Sequence, residues 1–263
     1  MSKREVKLVK KINGLLKQLN CREYLHHFGP KKYKLIQHLF ALLMMQVCRL
    51  SFRRVSNLLM MLGFIIPTYS ALCKSRKRIP LFLWNSALKL TAGIRHKRVA
   101  IDSTGFSKTN PSFHYIKRVN RKIPTRSYIK QSTLFDIEKK KIIDIRIRSK
   151  PRHDCKDAEY LIKRNHFEEL FGDSSYDAEF IHELCFELGI KTIIKPRKNV
   201  KRGFYRKKQN KNYSEEKYHQ RSLIESGQGG EKRRYGGFIF AKDIRAIRAE
   251  AHCKAIAYNL RLS

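Results

Sequence analysis

Residues 128–148 read YIKQSTLFDIEKKKIIDIRIR, and this stretch decides the fold. Tyr128 to Phe135 and Lys141 to Arg148 are rich in β-branched and aromatic residues, and the polar segment Asp136 to Lys140 joins them, so they read as two strands and a turn. Upstream, Arg98 to Ser103 (RVAIDS) reads as a further strand. Downstream, Asp157 to Arg164 is helical and Glu168 to Gly172 is a short strand. Asp177 to Leu188 is an amphipathic helix closed by Gly189, and Lys191 to Lys195 is a strand ended by Pro196. A helix from about Ser214 to Ser226, an extended segment Tyr235 to Phe240 and a closing helix Lys242 to Leu262 follow. Three strands and then alternating helices and strands predict an α/β domain on a mixed sheet.

Residues 1–95 are mostly helical in pattern. Ile36, Leu39, Leu43 and Val47 stand at helical spacing within Lys31 to Leu50. Ser51 offers an N-cap for a helix from Phe52 to Leu62, which Gly63 ends. Pro67 and Thr68 open a third helix, capped by Thr68 or Ser70, with Lys74, Arg76, Lys77 and Arg78 on its later turns and Pro80 as its stop. That outline fits a helix-turn-helix that reads DNA, and equally a structural αα-hairpin. The expected division is therefore a helical N-terminal domain, 1–95, and an α/β domain, 96–263.

The chain has 263 residues, 58 Lys and Arg against 22 Asp and Glu, and a formal net charge of +36. With 42% apolar and 30% charged residues it has a globular composition. Such a charge opposes compaction unless a polyanion neutralises it, so nucleic acid is the expected partner and an enzyme of small neutral substrates is excluded. Cys21, Cys48, Cys73, Cys155, Cys185 and Cys253 are scattered without zinc spacing and read as reduced thiols. The opening MSKRE begins no apolar stretch, and the longest apolar runs, Leu39 to Met45 and Leu58 to Ile66, fall short of a bilayer span. A soluble, cytoplasmic protein with no membrane partner is expected.

The acids are unevenly distributed. From Tyr24 to Phe135 the single carboxylate is Asp102, and Leu188 to Ser214 holds ten Lys and Arg with no acid, among them Lys195, Arg197 and Lys198. Such stretches suit a phosphate-facing surface. Three carboxylates follow apolar segments: Asp102 after Val99-Ala100-Ile101, Asp173 after Phe171-Gly172, and Glu225 after Leu223-Ile224. Each alone has an ordinary explanation, as a lysine partner, a helix cap and a surface residue. Together they suit phosphodiester chemistry, in which divalent ions held by carboxylates activate the attacking oxygen and stabilise the leaving one. Around Glu225 the spacing Y-x2-R-x3-E-x6-K runs through Tyr218, Arg221, Glu225 and Lys232. On a helix the first three lie within about 60° of arc, an aromatic hydroxyl and a guanidinium fork beside a carboxylate. An ordinary i,i+4 salt bridge between Arg221 and Glu225 gives the same pattern.

At these residues the sequence resembles the DDE transposases of bacterial and archaeal insertion sequences, the group with the YREK signature. The matching pieces are IDSTGF (101–106), GDSSYDAEFIHELCFELGI (172–190) with KPRKN (195–199), YHQRSLIESGQGGEK (218–232) and the closing AIAYNLRLS. The resemblance covers about residues 96–263, and 51–80 more loosely. It implies a ribonuclease-H-like core, with Asp102, Asp173 and Glu225 as catalytic ligands of Mg²⁺ or Mn²⁺. Tyr218, Arg221 and Lys232 would contact DNA beside the cleaved bond. It also implies terminal inverted repeats and target DNA, both double-stranded, as substrates, and a homodimer or larger assembly on the DNA, associated with the nucleoid. The separations of 71 and 52 residues between successive acids leave no room for a large insertion before Glu225.

One departure stands out. Gly227, Gly229 and Gly230 fall between Glu225 and Lys232, and each costs a helix roughly 1 kcal/mol relative to Ala. The run predicts that Lys232 leaves the helix face of Glu225. Two other functions fit the same residues: a catalytically silent DNA-binding derivative, and a general nuclease or junction resolvase on the same core.

Overall fold

The computed structural model describes residues 3–26, 31–108, 118, 128–150, 152–198 and 202–262, with side chains from residue 7 onward. In chain order its helices are α1 (Lys3–Gln18), α2 (Leu35–Val47), α3 (Phe52–Met61), α4 (Tyr69–Arg78), α5 (Leu81–Ala92), α6 (Asp154–Ile162), α7 (Glu179–Glu187), α8 (Phe204–Asn210), α9 (Glu215–Tyr218), α10 (Ser222–Tyr235) and α11 (Ile244–Leu262). Its strands are β1 (His96–Ser107), β2 (Tyr128–Asp136), β3 (Lys141–Arg148), β4 (Phe167–Gly172) and β5 (Lys191–Ile194). The chain forms two compact units.

The first unit is helical and comprises residues 1–91, 234–236 and 240–263. Helix α2 is its spine, with Leu35, Leu39, Leu42 and Leu43 buried. The expected caps are present: Ser51 Oγ accepts from the Arg54 N–H at 3.3 Å and Thr68 Oγ1 from the Ala71 N–H at 3.4 Å. Residues 31–34 precede α2 rather than belonging to it, because Lys34 is extended and its N–H is taken by the Gln37 side chain at 2.7 Å. Of the basic residues on α4, Arg76 is internal. It pairs with Glu250 of α11 at 3.2 Å, and Glu250 also accepts the N–H groups of Phe240 and Ala241. Lys74, Lys77 and Arg78 are exposed. Helix α11, read from sequence as the close of the second domain, packs within this helical unit, buried along nearly its whole length.

The second unit, residues 92–233 and 237–239, is built on one five-stranded sheet of order β3-β2-β1-β4-β5. The pairs β3-β2 and β2-β1 are antiparallel, and β1-β4 and β4-β5 are parallel. This is the mixed sheet expected of the α/β reading. One face carries Val99, Ile101, Leu134 and Ile143, which form a core with Leu161 of α6 and Ile181 and Cys185 of α7. Side chains alternate along a strand, so Ala100, Asp102, Thr104, Gln131 and Phe135 point to the other face. Helix α10 lies over that second face.

Strand β1 is longer than the sequence pattern suggested. It runs through Asp102 to Ser107, because β2 offers partners from Val99↔Asp136 to Ser107↔Tyr128. The expected extended segment 235–240 is reduced to a single parallel bridge, Ser107↔Phe238. The expected helix 214–226 is divided as well. Helix α9 ends at Tyr218, a tight 3₁₀ turn spans His219–Arg221, and α10 then continues to Tyr235.

Candidate active site

Strands β1 and β4 are parallel neighbours, with Ala100 the partner of Phe171. Two residues further along each chain stand Asp102 and Asp173. Neighbouring strands lie about 4.8 Å apart, so continuing this register brings the two acids side by side. β4 has ended by then, whereas β1 goes on, so Asp102 stands in mid-strand and Asp173 just past a strand end. Asp173 also caps the 3₁₀ turn Ser174–Tyr176, its Oδ1 accepting from the Ser175 N–H at 2.9 Å and the Ser175 hydroxyl at 2.5 Å. Asp102 Oδ1 accepts from the Ser103 N–H at 2.8 Å.

Arg221 ties the third acid to the first. Its guanidinium lies 3.5 Å from Asp102 Oδ2 and 2.7 Å from Glu225 Oε1. Burial pushes the Asp102 carboxyl above its ordinary range, Ser103 and Arg221 pull it down, and the nearby charges of Asp173 and Glu225 push it up again. Burial disfavours the charged form of Arg221, yet Asp102, Tyr218, Glu225 and Asp173 together hold its pKa above the ordinary value. The three acids are thus electrostatic neighbours around one guanidinium.

The aromatic ring of Tyr218 lies between cations, with Lys195 Nζ 5.4 Å and Arg221 Cζ 5.9 Å from its centroid. Lys232 Nζ donates to Thr104 Oγ1 at 2.5 Å and lies over the Phe106 ring at 5.4 Å, so it stands on the Asp102 face of β1. Burial lowers its pKa. The expected helix break does not occur: α10 runs unbroken through the glycines, and Lys232 is two turns on from Glu225 on the same side. The physical reason is contact with the sheet. A Cβ on Gly227 would fall 2.4 Å from Phe135 Cε2, so glycine there lets the helix approach β2. The buried Glu231 completes the seam by accepting from Gln131 Nε2 at 2.9 Å.

Arg197 is exposed, yet it reaches back to the loop that carries Asp173. Its side chain donates to the carbonyls of Ser174 and Ser175 at 2.7 and 3.1 Å, and its N–H to Asp177 Oδ2 at 2.9 Å, bracing the loop that carries Asp173. Lys198 is exposed. Sequence reasoning missed the supports of the site. Ser103 Oγ lies 2.9 Å from Ser132 Oγ and 3.2 Å from the Tyr176 hydroxyl, linking β1, β2 and the turn after Asp173. Asp177, fully buried, accepts from His182 Nε2 at 3.0 Å and lies 2.9 Å from Arg206 Nε. Its signal was the second acid of the GDSSYD run, at the start of the expected helix 177–188, with nothing local to mark it as buried.

The donor chemistry of three carboxylates and no soft ligand suits a hard divalent cation. Among the described residues no group of three His, Cys, Asp or Glu is arranged to hold a metal ion, because Asp102 and Glu225 are turned to Arg221 and Asp173 to Ser175. Among the described residues, too, no single helix is long and apolar enough to cross a membrane.

No curated protein matches the sequence. Among solved structures, a piggyBac transposase synaptic complex with hairpin DNA is similar at 14% identity with a TM-score of 0.35, over 76% of this chain. The chain spans about half (50%) of the length of that protein. The family described as the transposase DDE domain matches residues 94–260, well over half of the sequence, and the chain belongs to that family.

Proposed function

We propose that the protein is a DDE transposase that cleaves DNA at the ends of its element and joins the freed 3′-hydroxyl to target DNA. The observation that carries this reading is the gathering of Asp102, Asp173 and Glu225 around Arg221, an acidic island in a chain of net charge +36. In the first step a water oxygen bonds to the phosphorus at the element end, the water proton is released, and the 3′-oxygen leaves as a hydroxyl. In the second that hydroxyl loses its proton, bonds to a target phosphorus and displaces the target 3′-oxygen. Mg²⁺ or Mn²⁺ held by Asp102, Asp173 and Glu225 would supply Lewis-acid stabilisation of the attacking and leaving oxygens.

The remaining roles fall to the chain's own side chains. Tyr218, Arg221 and Lys232 would grip the phosphates that flank the scissile bond, and Lys195 and Lys198 the backbone beyond it. Arg197 would act both on DNA and as the brace of the Asp173 loop. The helical segment 1–95 would bind DNA and 96–263 would carry the chemistry, in a homodimer or larger assembly on nucleoid DNA in the cytoplasm. The continuity of α10 through its glycines favours an active enzyme over a silent derivative, since Glu225 and Lys232 keep one helix face.

The test is incubation with a donor duplex bearing the inverted repeats that flank the reading frame, with Mg²⁺ or Mn²⁺. Cleavage at the ends and strand transfer are expected from the wild type. Asp102→Asn should abolish both and leave DNA binding intact or tighter, because it removes a negative charge beside phosphate. Nicking that ignores the ends would point instead to a general nuclease, and cutting retained by Asp102→Asn would remove that residue from the chemistry.

A further inference from the structure

Within the second unit the buried stripe of α10 consists of Ile224, Gly227, Gln228 and Glu231. That spacing is the face of a helix laid on a sheet, and such a face is ordinarily apolar, with interlocking side chains that fix how the helix is turned about its axis. Here Ile224 is the single large hydrocarbon of the four. Gly227 sets how near the helix comes to Phe135, but it has no side chain to interlock with β2. The rotation of α10 therefore depends on the polar end of the stripe.

Glu231 and Gln131 are both fully buried, and Glu231 Oε2 accepts from Gln131 Nε2 at 2.9 Å. The same amide nitrogen lies 3.4 Å from Thr133 Oγ1. Gln131 and Thr133 are the cross-strand partners of Thr104 and Asp102. Thr104 in turn receives the ammonium of Lys232. Consecutive residues of α10 thus hold two side chains that face each other across the sheet, Glu231 the one on β2 and Lys232 the one on β1. A helix fastened at adjacent points to two strands cannot roll or slide without breaking one of the two bonds. The arrangement is a poor one for stability. Burying a carboxylate and two glutamines costs free energy that leucines in the same places would not, and Gln131 Oε1 and Gln228 Nε2 have no hydrogen-bond partner among the described residues. What the polar pair supplies, and leucines would not, is direction, because a hydrogen bond is satisfied in one setting of the helix.

We propose that Gln131 and Glu231 are positioning residues, which lock the rotation of α10 so that Lys232 and Glu225 face the Asp102 stretch of β1 together. They touch neither substrate nor metal and act through the helix that carries the two functional side chains. The consequence for cutting rests on the reading of the chain as a transposase, whereas the lock on α10 stands apart from it.

The test compares the full wild-type chain with Gln131→Leu/Glu231→Leu, and with Glu231→Gln, which keeps an acceptor for Gln131 and removes the charge. Three quantities are read: the melting temperature, the rate at which an amine-reactive reagent labels Lys232 (followed by peptide mass spectrometry), and cleavage of the donor duplex with Mn²⁺. Lys232 is partly buried and held by Thr104, so it should label slowly in the wild type. The leucine pair should melt no lower than the wild type, label Lys232 about tenfold faster and cleave roughly 10- to 100-fold more slowly. Glu231→Gln should resemble the wild type in all three. A purely structural pair would instead lose stability and activity together, so a leucine pair that melts lower would overturn the proposal. Unchanged labelling of Lys232 in the leucine pair would overturn it too. So would fast labelling in Glu231→Gln, which would assign the role to the charge and not to the hydrogen bond. A wild type that cuts no donor DNA, with Lys232 released in the leucine pair, would refute the transposase reading and leave the lock on α10 supported.

Discussion

Gly227 of α10 faces the buried ring of Phe135 on β2, and a methyl group on its Cα would lie 2.4 Å from Phe135 Cε2. Phe135 is 1% exposed, so its ring has no solvent to swing into. Gly227→Ala should therefore destabilise by about 1–3 kcal/mol, despite alanine's better helix propensity. Gly229, two residues on, meets nothing closer than the Arg233 guanidinium at 4.0 Å. Gly229→Ala should stabilise by up to about 1 kcal/mol. Opposite signs in denaturant unfolding would establish that one glycine serves the sheet contact and the other only loosens the helix. Equal signs would refute that division.

Arg76 and Glu250 form a buried ion pair at 3.2 Å, with side-chain exposures of 10% and 4%. Removing the arginine leaves a carboxylate held, among the described residues, by the N–H groups of Phe240 and Ala241. Arg76→Ala should cost about 3–5 kcal/mol. Lys77→Ala, on the exposed side of the same helix, should change stability by no more than about 0.5 kcal/mol. Thermal unfolding of the two variants separates an internal role from a surface one. A near-neutral Arg76→Ala would return that residue to the basic surface set of its neighbours Lys74, Lys77 and Arg78.

The same pair shows what the sequence carries and what it hides. Strand and helix periods give the five strands within a few residues, and the hairpin 128–148 gives the antiparallel pair β2-β3. Ser51 caps the helix it was expected to cap, and Thr68, one of the two candidates with Ser70, caps the next, because capping is a local hydrogen bond. Asp102, Asp173 and Glu225 stand out because each follows an apolar segment in a chain short of acids. What local reasoning misses is set by partners distant in the chain. Arg76 looks like its basic neighbours until α11 supplies Glu250. The glycines look like a helix break until Phe135 supplies the close contact. Asp177 reads only as the start of a helix until His182 and Arg206 pair with it.

His38 sits on the buried side of α2, with Nδ1 3.0 Å from Ser75 Oγ, and burial, with a smaller contribution from His26, lowers its pKa to about 4. In the unfolded chain the same group titrates near 6.5. Between those values the unfolded state binds more protons than the folded one, so stability falls as pH drops from about 6.5 to about 4 and is unaffected above that window. The loss should reach about 1–3 kcal/mol after allowance for partial solvent screening. His38→Gln, which has no titrating proton, should flatten this part of the acid limb. Urea unfolding at about pH 7 and about pH 4.5 makes the comparison, and an equally steep decline in the variant would assign the acid sensitivity to other groups.

Arg221 occupies the position between Asp102 and Glu225 that a divalent ion would have to share, at 3.5 and 2.7 Å from their oxygens. A fixed positive charge there stabilises the free protein by relieving repulsion among the acids, and for the same reason it opposes the arrival of a second cation. Replacing it with an uncharged side chain of similar length should reverse both effects. Arg221→Met is expected to bind Mn²⁺ about tenfold more tightly in the absence of DNA, about 1.4 kcal/mol, and to show a larger rise in melting temperature on adding Mn²⁺. The same variant should process donor DNA poorly, since the guanidinium would otherwise turn to phosphate once DNA reaches the three acids. Tighter metal binding with weaker DNA processing is a combination that a purely structural arginine does not produce. Mn²⁺ affinity by calorimetry that is unchanged or weakened in Arg221→Met would show that the guanidinium does not compete for the carboxylates.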